Sequence, residues 1–176
     1  MRIFFLLLFF QSFLTDQEEQ KQINQEDSFI RYQGKHLLHE WEGINSKIKG
    51  IAIFNPQTNT LNKIALLANI RDFDSNNSGR DAHALEVLEA LQFPEIKFFS
   101  DQITTNSEEY TITGSLEFHG IPLEQTIIAN KIEDEEKLVL VGEFDLTPSL
   151  FGISLPSFLG VKMKDFLKIN YRIVIE

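Results

Sequence analysis

The chain contains no cysteine. Disulfide frameworks, thiolate zinc sites and cysteine nucleophiles are therefore excluded together. Basic side chains are also few, 16 Lys and Arg against 26 Asp and Glu, for a formal net charge of −10. Nucleic-acid binding rests largely on Lys and Arg neutralising phosphates, so no nucleic-acid partner is expected. No G-x-S-x-G, H-E-x-x-H, phosphate loop or dinucleotide fingerprint occurs. Acids are plentiful, but no pair stands out as a catalytic dyad, and no enzyme is expected. What is present is 176 residues, 43% of them apolar, with 16 Phe. That suits one acidic globular domain.

The first 15 residues, MRIFFLLLFFQSFLT, do not fit such a domain. Arg2 and the α-amino group make a small positive region, and Ile3 to Leu14 is apolar except for Gln11 and Ser12. About 12 apolar residues are too few to span a bilayer, which takes roughly 20, but they suit the core of a signal peptide. Residues 1–15 are thus expected to direct export to a periplasmic or extracellular space. Residues 16–26, DQEEQKQINQE, are polar and aperiodic and read as a solvated tether. The folded domain is placed at 27–176.

Within that domain the dominant signal is alternation with period two, the mark of half-buried strands. Tyr110, Ile112, Gly114, Leu116 and Phe118 share one face of a run over 109–118. Leu138, Leu140, Gly142, Phe144 and Leu146 form a second such face, and Leu167, Ile169, Tyr171, Ile173 and Ile175 a third. Weaker runs lie near 28–33, 47–54, 61–70, 95–103 and 121–131, giving eight strands. One helix is expected over about 81–91, with Leu85, Leu88 and Leu91 on one side and Pro94 as its stop.

Eight antiparallel strands in this length point to a closed barrel or a sandwich. Gly50, Ala52, Ala68, Gly114 and Gly142 sit mid-strand on apolar faces. They either leave interior space for a ligand or mark bends in a tight barrel. An empty apolar pocket of about 300 Å³ would cost up to roughly 7 kcal/mol. Such a cavity calls for an apolar occupant.

Polar constellations are weaker. His36 and His39 stand three apart, which on a strand puts them on opposite faces, so no metal site is assigned. Asp72-Phe73-Asp74-Ser75-Asn76 begins like a calcium loop. Asn77 replaces the sixth-position Gly and His83 the twelfth-position Glu, so the match fails.

Four blocks in order resemble the YceI-like domain family. They are Phe73-Asp74-Ser75-Asn76-Asn77-Ser78-Gly79-Arg80-Asp81-Ala82-His83-Ala84-Leu85, Phe93-Pro94-Glu95-Ile96-Lys97-Phe98, Gly114-Ser115-Leu116-Glu117-Phe118-His119-Gly120, and Phe151-Gly152-Ile153 leading to Val161 and Asp165. His36 also falls where that family has a His after its first strand. The resemblance covers about 28–175. One departure is Ile121-Pro122 after Gly120, where the family often has G-x-T. The resemblance implies an eight-stranded antiparallel lipocalin-like β-barrel with an apolar interior that binds an amphiphile, typically a polyisoprenoid, without catalysis.

On this reading Leu66, Ala68, Ile112, Gly114, Leu116, Leu140, Gly142 and Phe144 line the interior. Trp41, Phe151, Phe158 and Leu159 stand at a mouth or lid. Arg80, Asp81 and His83 either meet a polar headgroup or, for Arg80 and Asp81, anchor the helix as an ion pair. No metal or cofactor is expected beyond a bound polyisoprenoid or quinone-like lipid, held for transport, storage or stress protection. Transient membrane contact and a homodimer stay open. The alternative is a non-lipid interaction or stress-response module with a filled core.

Overall fold

Period-two alternation becomes one strongly curled antiparallel sheet in the computed structural model, which describes residues 18–36, 39–134, 137–158 and 161–176. The strands are β1 (Glu19–Gln22), β2 (Phe29–His36), β3 (His39–Asn45), β4 (Lys49–Asn55), β5 (Thr60–Asn69), β6 (Glu95–Thr105), β7 (Glu109–Phe118), β8 (Ile121–Asp134), β9 (Lys137–Leu146) and β12 (Leu167–Ile175). They pair in the order β1-β4-β5-β6-β7-β8-β9-β12-β2-β3, every pair antiparallel. A separate ribbon pairs β10 (Ser157–Phe158) with β11 (Val161–Lys162). Among the described residues the fold is therefore all-β with one α-helix, as expected. Its main sheet has ten strands among the described residues, where eight were expected.

The two additional strands are the ones without an apolar alternation. β1 comes from the stretch read as a tether, which is a correction to that reading. Its four residues are mostly exposed, and they pair with Ile51 to Phe54 of β4. Polar residues cost little on an edge strand, because only one flank is paired and both faces meet solvent. Ile23, directly after β1, is buried and forms a bridge to Ile175. Gln22 N donates to Glu176 O at 3.0 Å, and Asn24 N donates to Val174 O at 2.9 Å. The sheet thus curls until its first strand meets the end of β12. β3, with two Glu beside Trp41, pairs with β2 and is the other edge.

Curling follows from strand twist sharpened by irregularities at Ile53/Phe54 and at Phe99/Gln102. At the second, buried Ser100 Oγ donates to Thr113 O at 2.7 Å and accepts from Gln102 N at 3.2 Å. β3 also reaches across the open side. Ile44 bridges Asp74, and buried Asn45 donates from Nδ2 to Asn69 O at 3.0 Å.

The helix α1 (Ser78–Val87) starts three residues earlier than expected. Asn77 is its N-cap, with Oδ1 accepting from Arg80 N at 3.0 Å. It ends before Leu91 because Glu89 takes a left-handed backbone, φ 47°. Leu85 and Leu88 pack on the core, whereas Leu91 is 97% exposed and not part of that face.

Candidate functional site

The concave side of the sheet encloses a cavity of about 310 Å³. Its strand-borne wall is apolar: Ile64, Leu66 and Ala68 from β5, Ile96 and Phe98 from β6, Ile112, Leu116 and Phe118 from β7, Leu140, Phe144 and Leu146 from β9. Tyr32, Trp41 and Tyr171 bring the polar atoms of the strands. The charged lining residues all come from other segments. Arg71 lies on the 3₁₀ turn Ile70–Asp72, Arg80, Asp81 and His83 on α1, and Lys164 just before β12. Among the described residues the charged lining thus comes from the segments between strands, Lys164 lying toward β2 and β3. A second, more polar groove of about 450 Å³ adjoins it, sharing Trp41 and Lys164 and containing Lys35, Glu40 and Phe166.

Of the residues singled out by sequence, Trp41, Leu66, Ala68, Ile112, Leu116, Leu140, Phe144, Arg80, Asp81 and His83 lie in the cavity wall. Phe151 does not: it is buried against Phe118, ring centroids 5.5 Å apart, under the 3₁₀ turn Pro148–Phe151. Phe158 falls in β10, and Leu159 lies outside the described residues.

Gly114 and Gly142 are also absent from the wall, and the reason is close approach. A Cβ on Gly142 would stand 2.5 Å from the Tyr171 hydroxyl and 2.6 Å from Ile128 O. Tyr171 pairs with Gly142 across the ladder and donates its hydroxyl to Ile128 O at 3.0 Å. Trp41 lies over its cross-strand partner Gly34 in the same way, and Tyr32 over Gly43. A Cβ on Gly114 would meet Phe99 O at 2.3 Å, at the bulge of β6. These glycines seat aromatic rings and a bulge; they do not open space.

Arg80 and Asp81 anchor the helix by clamping Ser75. Asp81 Oδ1 accepts from Ser75 Oγ at 2.5 Å and from Ser75 N at 3.2 Å, while Arg80 Nη1 donates to Ser75 O at 3.3 Å. Burial raises the Tyr32 phenol above its ordinary pKa; the Asp81 carboxylate raises it further and Arg80 opposes the shift. His83 is exposed beside Glu86, 3.7 Å away. Burial also pushes the Tyr171 phenol strongly upward. Neither Tyr32 nor Tyr171 was among the expected site residues. Period two would have found them, since Tyr32 alternates with Ile30 and Gly34, and Tyr171 with Ile169 and Ile173. Among the described residues no group of three or more His, Cys, Asp or Glu could hold a metal.

A family model, the YceI-like domain, matches residues 22–175. The chain belongs to the YceI-like domain family. Curated relatives include a UPF0312 protein of Yersinia enterocolitica, 30% identical over 97 residues, covering 53% of this chain and 50% of that protein. Protein YceI of Salmonella newport is 27% identical over 105 residues, covering 58% and 55%. The chain thus spans about half the length of the curated relatives it matches. Among solved structures, Burkholderia cenocepacia BcnA aligns with a TM-score of 0.77 at 16% identity, over 86% of this chain and 98% of that one. A polyisoprenoid binding domain from Saccharophagus degradans aligns with a TM-score of 0.71 at 7% identity, over 89% and 97%. At these identities the likeness concerns the fold.

Proposed function

We propose that this chain is an exported, non-catalytic carrier that holds one isoprenoid-like or other long-chain amphiphilic lipid in the concave cavity. The observation that carries this reading is the cavity itself: about 310 Å³, apolar along its strands, with its charged lining supplied by the segments between them. Left empty, that volume would cost up to about 7 kcal/mol at roughly 24 cal/mol per Å³, comparable with the stability of a whole domain. An apolar tail removes the penalty and contributes about 0.8 kcal/mol per buried CH₂. The inter-strand segments, with Arg71, Arg80 and Lys164, suit a polar head, a quinone-like ring among them. Family membership and the shared fold of a domain described as polyisoprenoid binding support the same ligand class. The cavity speaks against a filled core serving only as an interaction module.

Residues 1–15 support export, which would place the carrier in the periplasm or outside the cell, and transient contact with a membrane would load it. Transport, storage and stress protection all use the same binding step. Native mass spectrometry of the protein gently purified from its own cells tests the reading, and reports monomer or homodimer as well. One lipid adduct per chain, recoverable by organic solvent, is expected. A bare chain with no extractable lipid would contradict it.

A further inference from the structure

One side chain outside the described wall bonds to both loops at one end of the cavity. His119, in the turn between β7 and β8, is only 10% exposed. Its Nδ1 stands 3.1 Å from the carbonyl oxygen of Phe151, and its Nε2 2.9 Å from Glu89 Oε2. Phe93 covers the ring at 4.4 Å. Both His119, φ 52°, and Glu89, φ 47°, hold left-handed backbone without being glycine. Such strain persists only where surrounding contacts fix it.

The chemistry of the two acceptors decides the protonation. A carbonyl oxygen and a carboxylate can only accept, so both bonds exist together only when the ring carries two N–H groups. A neutral ring has one donor and turns a lone pair toward the other acceptor. Glu89 is the charged group that meets the ring among the described residues. Glu86 is engaged by His83, and Glu117, at the end of β7, by Lys97. The two tied segments are walls of the cavity: Val87 and Leu88 precede Glu89, and Pro148 and Ile153 flank Phe151.

We propose that His119 and Glu89 form a pH-operated latch across this end of the cavity. It is closed while the imidazole is protonated and loosened once it is neutral, so the end opens as the ring loses its second proton. The latch is a property of the empty fold. Its test needs no lipid, and its failure leaves the carrier reading standing.

Hydrogen exchange of the full chain at about pH 5 and about pH 8, corrected for the intrinsic rate, reads the latch directly. The reporters are the amides of Gly152, which donates to Ser149 O at 3.1 Å, and Ile153, which donates to Pro148 O at 3.4 Å. Protection there is expected to fall roughly tenfold or more at the higher pH, while β7 and β9 stay protected. Glu89→Gln should abolish the fall, because an amide can accept from Nε2–H or donate to its lone pair. Ring-nitrogen NMR of His119 should pass from doubly to singly protonated over the same interval. Equal protection at both pH values in the wild type overturns the latch. So does the same fall in E89Q, or a ring singly protonated throughout.

Discussion

Filling the cavity from its own wall separates ligand binding from folding. Ala68 is 3% exposed, lies opposite Ile96, and lines the cavity on the face shared by Ile64 and Leu66. In Ala68→Phe an aromatic ring enters space that a tail would otherwise occupy. The ring displaces about one five-carbon isoprene unit, whose burial contributes up to about 4 kcal/mol at about 0.8 kcal/mol per CH₂. A tail that slides to compensate recovers part of this, leaving a loss of about 2 kcal/mol, or roughly 30-fold in Kd. The empty protein should respond in the opposite sense. Removing part of a 310 Å³ void at roughly 24 cal/mol per Å³ stabilises it by about 1–2 kcal/mol, or roughly 2–8 °C in Tm. Calorimetric titration of delipidated protein with an isoprenoid alcohol, beside thermal melts without it, measures both. Unchanged affinity with a raised Tm would refute the reasoning, because the cavity would then be real and not the binding site.

Other consequences concern the frame around the cavity. Ile23→Ala should cost about 2–4 kcal/mol in chemical denaturation, because Ile23 is buried beside Gly50 and bridges Ile175; a tether residue would cost nothing. Gly142→Ala should destabilise by about 1–3 kcal/mol, since its Cβ would press on the Tyr171 hydroxyl and on Ile128 O, and an unchanged melting curve would show that the ladder has slack there. The folded-state pKa of Tyr171 is raised by burial, so the stability it contributes is complete below the unfolded value of about 10 and is lost as pH rises beyond it. Tyr171→Phe should flatten that alkaline decline while forfeiting about 1 kcal/mol at neutral pH with the bond to Ile128 O; a decline of equal slope in both proteins would place its origin elsewhere.

Strands with one face buried were the legible ones. β7 and β12 match the runs marked by alternation at both ends, and β9 differs by one residue, because burial on one side forces apolar residues to every second position. β1 and β3 carry no such pattern. Glu19, Gln20 and Gln22 are exposed, and the face of β3 opposite Glu40 and Glu42 holds Trp41, Gly43 and Asn45, only one of them large and apolar. Their pairing is a tertiary outcome of the curl. The helix boundary was misplaced because Asn77 as a cap weighs more than the spacing of leucines, and Glu89 turns the chain before Leu91 can reach the core. At the cavity, Leu66, Ile112, Leu116, Leu140 and Phe144 stand in the wall, whereas Gly114 and Gly142, read as interior space or as bends, stand outside it. What a glycine admits depends on its cross-strand neighbour, Tyr171 in the case of Gly142, and that register is invisible until the strands are paired.

The central claim, one apolar tail inside the curled sheet, has a built-in reporter. Trp41 is the single tryptophan of the chain and stands in the cavity wall, seated over Gly34. Titrating delipidated protein with a long-chain isoprenoid alcohol should shift its emission to shorter wavelength and saturate at one lipid per chain. Emission that stays constant, or drifts without saturating, would contradict the account.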